Sequence, residues 1–149
     1  MAAPLYYMLP ESKRYGSVYS KEMAELKRID SLTPQECEKE KNESLRKLVE
    51  YAYNHVPYYR ELFDGIGLSP SEIREEKDLQ KIPFLTKEIV IANKEKLLSD
   101  EFDKESLVHL TTSGSTGTPT DFYVQKESPV RERVYGVHMF EDMGYKADS

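Results

Sequence analysis

The sequence is short of several things, and each shortage removes a class of protein. It holds one cysteine, Cys37, so neither an internal disulfide framework nor a cysteine-cluster zinc site can be built. Its uninterrupted apolar runs are only a few residues long, as in Ile89-Val90-Ile91-Ala92, far short of a bilayer-spanning helix. The opening residues, Met1 to Tyr7, lack the basic start and apolar core of a secretory signal, and a cytoplasmic location is the expectation. Positive charge is also in deficit, with 21 Lys and Arg against 27 Asp and Glu and a net charge of −6. General nucleic-acid binding needs a basic face to displace counterions, so it is not expected. No internal repeat and no low-complexity tract is present. What remains is a soluble globular balance over 149 residues, 38% hydrophobic and 32% charged.

Most of the chain reads as helix. Residues 1–30, with Tyr6, Tyr7, Tyr15 and Tyr19 among Pro10, Gly16 and serines, read as an irregular arm. Thr33-Pro34-Gln35-Glu36 is a helix start, with a cap, a proline suited to the first turn and a glutamate that can reach back. Leu45, Leu48, Val49, Ala52, Tyr53 and Val56 then recur at three- and four-residue spacing, one apolar stripe of a long helix. Pro57 breaks or restarts it, and a short helix from Tyr58 to Phe63 ends in the turn of Gly65 and Gly67. Ser69-Pro70-Ser71-Glu72 repeats the start signal and predicts a short helix around Ile73. A turn follows from Asp78 to Pro83, and Thr86 predicts a helix through Leu97.

The character changes at Ser106, because no charged residue follows until Asp121. Leu107 to Thr111 reads as a buried strand and Thr120 to Val124 as an alternating one. Ser128-Pro129 opens a last helix with Val130, Val134, Val137 and Phe140 on one face and Gly144 as its stop. Two strands alone make a marginal layer. The expectation is therefore the front end of a larger α/β domain, truncated here.

The segment between those strands carries the chemistry. In Thr111 to Thr120, seven of ten residues bear hydroxyls and two of the chain's seven glycines occur. Glycines permit positive φ and close backbone approach, and successive N–H groups converge on phosphate oxygens. Hydroxyls at Thr112, Ser113, Ser115, Thr116 and Thr118 add donors without negative charge. A Walker loop does not fit, since only two residues separate Gly114 from Gly117, no lysine follows and a strand comes next. Ser, Thr and Gly are also common in turns, so composition alone equally allows a plain hairpin loop with no ligand.

Thr112-Ser113-Gly114-Ser115-Thr116-Gly117-Thr118-Pro119 resembles the phosphate-binding signature of the adenylate-forming superfamily. Leu48 to Arg60 (LVEYAYNHVPYYR) and Asp78 to Lys87 (DLQKIPFLTK) are similar to its phenylacetate–CoA ligase and capsular-polysaccharide-biosynthesis branch. The likeness runs from about Leu45 to the end of the chain. It implies an incomplete N-terminal part of an AMP-binding domain over 1–149, with 1–104 mostly helical and 105–149 a strand, phosphate loop, strand and helix that begin the large domain. It also implies a loop, Thr112, Ser113, Gly114, Ser115, Thr116, Gly117 and Thr118, that holds ATP phosphates. The implied partners are ATP with Mg2+, coenzyme A as co-substrate and a small carboxylic acid.

Thr120 stands where much of the superfamily has lysine. The family's later elements, for AMP, ribose, hinge and C-terminal lysine, have no counterpart among these residues. The isolated chain is therefore expected to be an inactive fragment of an acid–thiol ligase, lacking its C-terminal remainder. Two rival readings are a non-catalytic helical interaction module and a family member that transfers the acyl group to a sugar or carrier.

Other residues read as structural. His55, His109 and His138 form no pair at metal-ligand spacing, although His109 stands three residues before the loop. Tyr51, Tyr53, Tyr58 and Tyr59 read as packing residues with hydroxyls at the edge. Arg131 and Arg133 read as solvated, and nothing in the surroundings of Cys37 activates a thiol.

Overall fold

The computed structural model describes residues 9–112 and 119–144. Among the described residues are five α-helices, α1 Glu11–Asp30, α2 Pro34–His55, α3 Pro57–Ile66, α4 Lys87–Ala92 and α5 Ser128–Asp142, with one hairpin of β1 Val108–Thr111 and β2 Asp121–Val124. A mainly helical stretch followed by a hairpin and a helix is the order that the sequence predicts. Two compact units form: α1 with α5, and everything from α2 to β2.

In the first unit, Tyr19 and Met23 of α1 pack on Val134 and Val137 of α5, with Tyr15, Leu26 and Val130 at the margin. Residues 11–30 are thus helical, not an irregular arm. The tyrosines at 15 and 19 and the methionine at 23 are themselves an i, i+4 stripe. Gly16 disguises it, and it marks a real interruption, with φ 68° and ψ −149° inside the helix. Arg131 and Arg133 are also not merely solvated. Arg131 Nε lies 3.0 Å from Glu22 Oε1, and Arg133 Nε donates to both oxygens of the buried Glu11 carboxylate at 3.1 and 3.2 Å. Arg14 Nη2 donates to the same carboxylate at 3.3 Å, so the buried charge is paired from two sides.

In the second unit, Val49 of α2, Phe63 of α3 and Ile73 form the core, with Leu45, Tyr53, Tyr59, Leu68 and Ile82 against it. Leu48, although on the expected stripe, is exposed. Gly67 ends α3 in the left-handed region (φ 67°, ψ 28°), and Leu68 N–H donates back to Phe63 O at 3.0 Å. The start signal at Ser69 produces only a single 3₁₀ turn, Pro70–Glu72. Glu72 Oε2 accepts the Ser69 N–H at 2.8 Å, but Ile73 is already extended and fully buried. Burying that side chain against Phe63 outweighs extending the turn into a helix.

Thr86 does cap α4, accepting the Ile89 N–H at 3.4 Å. The helix stops at Ala92 and not at Leu97, because the Asn93 side chain donates to Ile89 O at 3.0 Å and Asn93 leaves helical geometry. The tyrosines pack as expected. Tyr53 meets Phe63 edge-on at 6.0 Å, and its hydroxyl donates to Asp64 at 2.9 Å. The Tyr51 hydroxyl lies 2.7 Å from Ser99 Oγ, which ties the segment before the hairpin to α2. Among the described residues no helix is long and apolar enough to cross a membrane.

Candidate functional site

The hairpin is antiparallel, with Val108 opposite Val124, His109 opposite Tyr123, Leu110 opposite Phe122 and Thr111 opposite Asp121. Alternation gives it two unlike faces. Val108, Leu110, Phe122 and Val124 form one; His109, Thr111, Asp121 and Tyr123 form the other. The β1 strand is not buried as its composition suggests. Leu110 and Phe122 face each other at 40% and 41% exposure, because two strands supply no second layer to cover an apolar face.

Ordered contacts fix the polar face. Thr111 Oγ1 donates to Asp121 Oδ1 at 2.7 Å, and His109 Nε2 lies 3.3 Å from the same oxygen. The Thr111 hydroxyl, with the positive potential of His109 and Lys94, holds the Asp121 carboxyl below the usual carboxylate range. The Tyr123 ring lies 5.1 Å from that of His109. Lys104 Nζ lies 4.9 Å from the Tyr123 centroid, which fastens β2 to the chain entering β1, and 2.8 Å from Glu95 Oε1. Glu95 first, and then Tyr123, raises the Lys104 pKa.

Beyond the last strand pair the neck is closed twice. Thr112 N–H donates to Thr120 O at 3.0 Å, and Thr120 N–H donates to Thr112 Oγ1 at 3.0 Å. The Thr112 hydroxyl thus accepts a backbone bond and keeps its proton for donation outward. Of the residues that the sequence assigns to phosphate, the structure places only Thr112, at this neck. Ser113, Gly114, Ser115, Thr116, Gly117 and Thr118 lie outside the described residues. Asp121 was not singled out by the sequence, although it directly follows the hydroxyl-rich segment that begins at Thr111.

The remaining histidines have structural partners. His55 Nδ1 lies 3.1 Å from Asp100 Oδ1, and His138 Nε2 lies 3.1 Å from Asp30 Oδ2. No group of three His, Cys, Asp or Glu side chains converges among the described residues, so none of them is assigned to the magnesium that the resemblance implies. A recess of about 420 Å³ between α2, α3 and Pro83–Leu85 is lined mainly by apolar side chains, with Tyr59 among them.

Known proteins share this text. A phenylacetate–coenzyme A ligase of Escherichia coli (strain K12) is 34% identical over 95 residues, which is 62% of this chain and 21% of that protein. The ligase of the same name from Thermus thermophilus is 34% identical over 94 residues, again 62% and 21%. That of Aromatoleum evansii is 33% identical over 97 residues, 64% of this chain and 22% of its own length. The chain resembles the phenylacetate–CoA ligases. It spans about a fifth of the length of the curated relatives it matches. No family model matches it.

Proposed function

We propose that residues 112–118 hold the β- and γ-phosphates of ATP for a cytoplasmic acid–thiol ligase of the phenylacetate–CoA ligase kind. In that reaction a carboxylate oxygen attacks the α-phosphorus of ATP, pyrophosphate departs, and an acyl-adenylate forms. The thiol of coenzyme A then takes the acyl group and AMP leaves. Fixed N–H and O–H donors at the loop stabilise the charge gathering on departing pyrophosphate and keep attacking and leaving groups in line. Magnesium would add charge neutralisation when bound with the nucleotide.

One observation carries the reading: the Thr-Ser-Gly-Ser-Thr-Gly-Thr-Pro segment joins two strands whose ends are pinned by paired Thr112–Thr120 bonds. Such a neck sets where the two ends of the loop emerge, which a free linker does not. The likeness to three phenylacetate–CoA ligases supports the same reading.

Calorimetric titration of the chain with ATP and magnesium tests it. Gly117→Val, which blocks close backbone approach, is expected to weaken ATP by about tenfold or more. Equal affinity of the two proteins contradicts the assignment. The 149 residues alone are expected to give no ATP–pyrophosphate exchange with phenylacetate, since nothing in them matches the adenine, ribose and lysine elements. Exchange above background contradicts that expectation.

A further inference from the structure

A carboxylate at the foot of a phosphate cradle is electrostatically awkward, and Asp121 is the first residue of β2, straight after the neck. Its side chain is 40% exposed, and Thr111 opposite is exposed as well, so core packing does not account for either. Aspartate is also disfavoured in strands. What the pair does have is a short cross-strand bond, Thr111 Oγ1 to Asp121 Oδ1 at 2.7 Å, spanning the last registered pair before the loop. An ionised acceptor makes such a bond roughly twice as strong as a neutral one. The neck bonds of Thr112 and Thr120 come immediately after this pair. His109 Nε2 stands 3.3 Å from the carboxylate, on the side away from the loop.

We infer that Asp121 is a positioning residue: through Thr111 it locks the strand ends from which the phosphate loop springs, and it does not touch the nucleotide itself. The inference rests on the reading of 112–118 as a phosphate cradle. It accounts for a negative charge where phosphate recognition alone would disfavour one, because an ionised acceptor strengthens the lock. Donors that must act at fixed distances depend on such a support.

The test is a double-mutant cycle on the chain, read as the ATP dissociation constant together with the melting temperature. Asp121→Ala and Thr111→Val are each expected to raise the dissociation constant by about fivefold, the scale of one charge-assisted hydrogen bond. The double variant is expected to be no worse than either single one, and Asp121→Asn, which keeps a neutral acceptor oxygen, to recover about half of the lost binding free energy. Melting temperatures are expected to stay together, since both side chains are exposed. Should Asp121→Ala fail to fold, the near-isosteric Thr111→Val and Asp121→Asn carry the comparison.

Wild-type affinity in Asp121→Ala or Thr111→Val overturns the inference, and so does a double variant whose losses multiply. Asp121→Asn as weak as Asp121→Ala overturns it too. Gly117→Val separates the two levels. If that substitution and the Asp121 variants are all silent, or the unaltered chain binds no ATP, the cradle reading itself fails. If only Gly117→Val weakens binding, the cradle stands and the role of Asp121 falls.

Discussion

Two phenylalanines show how little composition says about a residue's weight. Phe63 is 1% exposed at the centre of the second unit's core, whereas Phe84 is 94% exposed. Phe63→Ala is expected to cost about 3–5 kcal/mol, from lost transfer energy and the cavity left behind. Phe84→Ser is expected to change stability by less than about 0.5 kcal/mol. Denaturant unfolding of both variants checks the contrast, and equal effects would contradict the packing described here.

Asp78 makes a second case at this scale. Its carboxylate accepts from the Arg74 N–H at 2.9 Å and the Glu75 N–H at 3.3 Å, and Lys81 Nζ stands 2.9 Å away. Lys81 above all, then the Arg74 and Glu75 N–H groups, hold its pKa down to about 2. A carboxyl that is more acidic when folded than its usual ~3.9 stabilises the fold above that value, and the benefit fades as pH falls through the folded pKa. The melting-temperature gap between wild type and Asp78→Ala is therefore expected to be full above pH 4 and to shrink towards pH 2. A gap constant across that window would show that the carboxylate's charge does not matter.

Among the elements, those whose signals are local were legible. Pro34, Pro57 and Ser128-Pro129 mark helix starts because proline fits a first turn and its missing N–H is not needed there. Gly67 marks a stop because its φ of 67° suits glycine. Gly67→Ala is expected to cost about 1 kcal/mol, chiefly backbone strain, because an added Cβ would meet nothing within 4 Å. A chemical-denaturation midpoint unchanged by the substitution would contradict the left-handed cap.

Elements decided by distant partners were not legible. The α1 helix is held by Val134 and Val137 of α5, more than a hundred residues later in the sequence, and Gly16 obscures its stripe. Ile73 is drawn out of helical geometry by the core that it fills. The exposed β1 strand was misread because an apolar segment announces that it can be buried, not that a covering layer is present.

For the molecule as a whole, the site was legible as a motif and not as a geometry. The phosphate chemistry proposed for Thr112 to Thr118 rests on hydroxyls and glycines, and so on residue type alone. The Thr111–Asp121 bond and the Thr112–Thr120 neck depend on strand register, and register is set by pairing that no single strand encodes. The match spans about a fifth of each relative's length, and the share of the reaction proposed for these residues is the grip on phosphate.

That grip is tested most directly by titrating isotope-labelled chain with ATP, with inorganic tripolyphosphate and with adenosine, following each backbone amide by NMR. ATP and tripolyphosphate are predicted to move the amides of Thr112 to Thr118, those of Gly114 and Gly117 most, and adenosine to leave them in place. Shifts with adenosine alone, or phosphate-induced shifts centred elsewhere in the chain, would contradict the account.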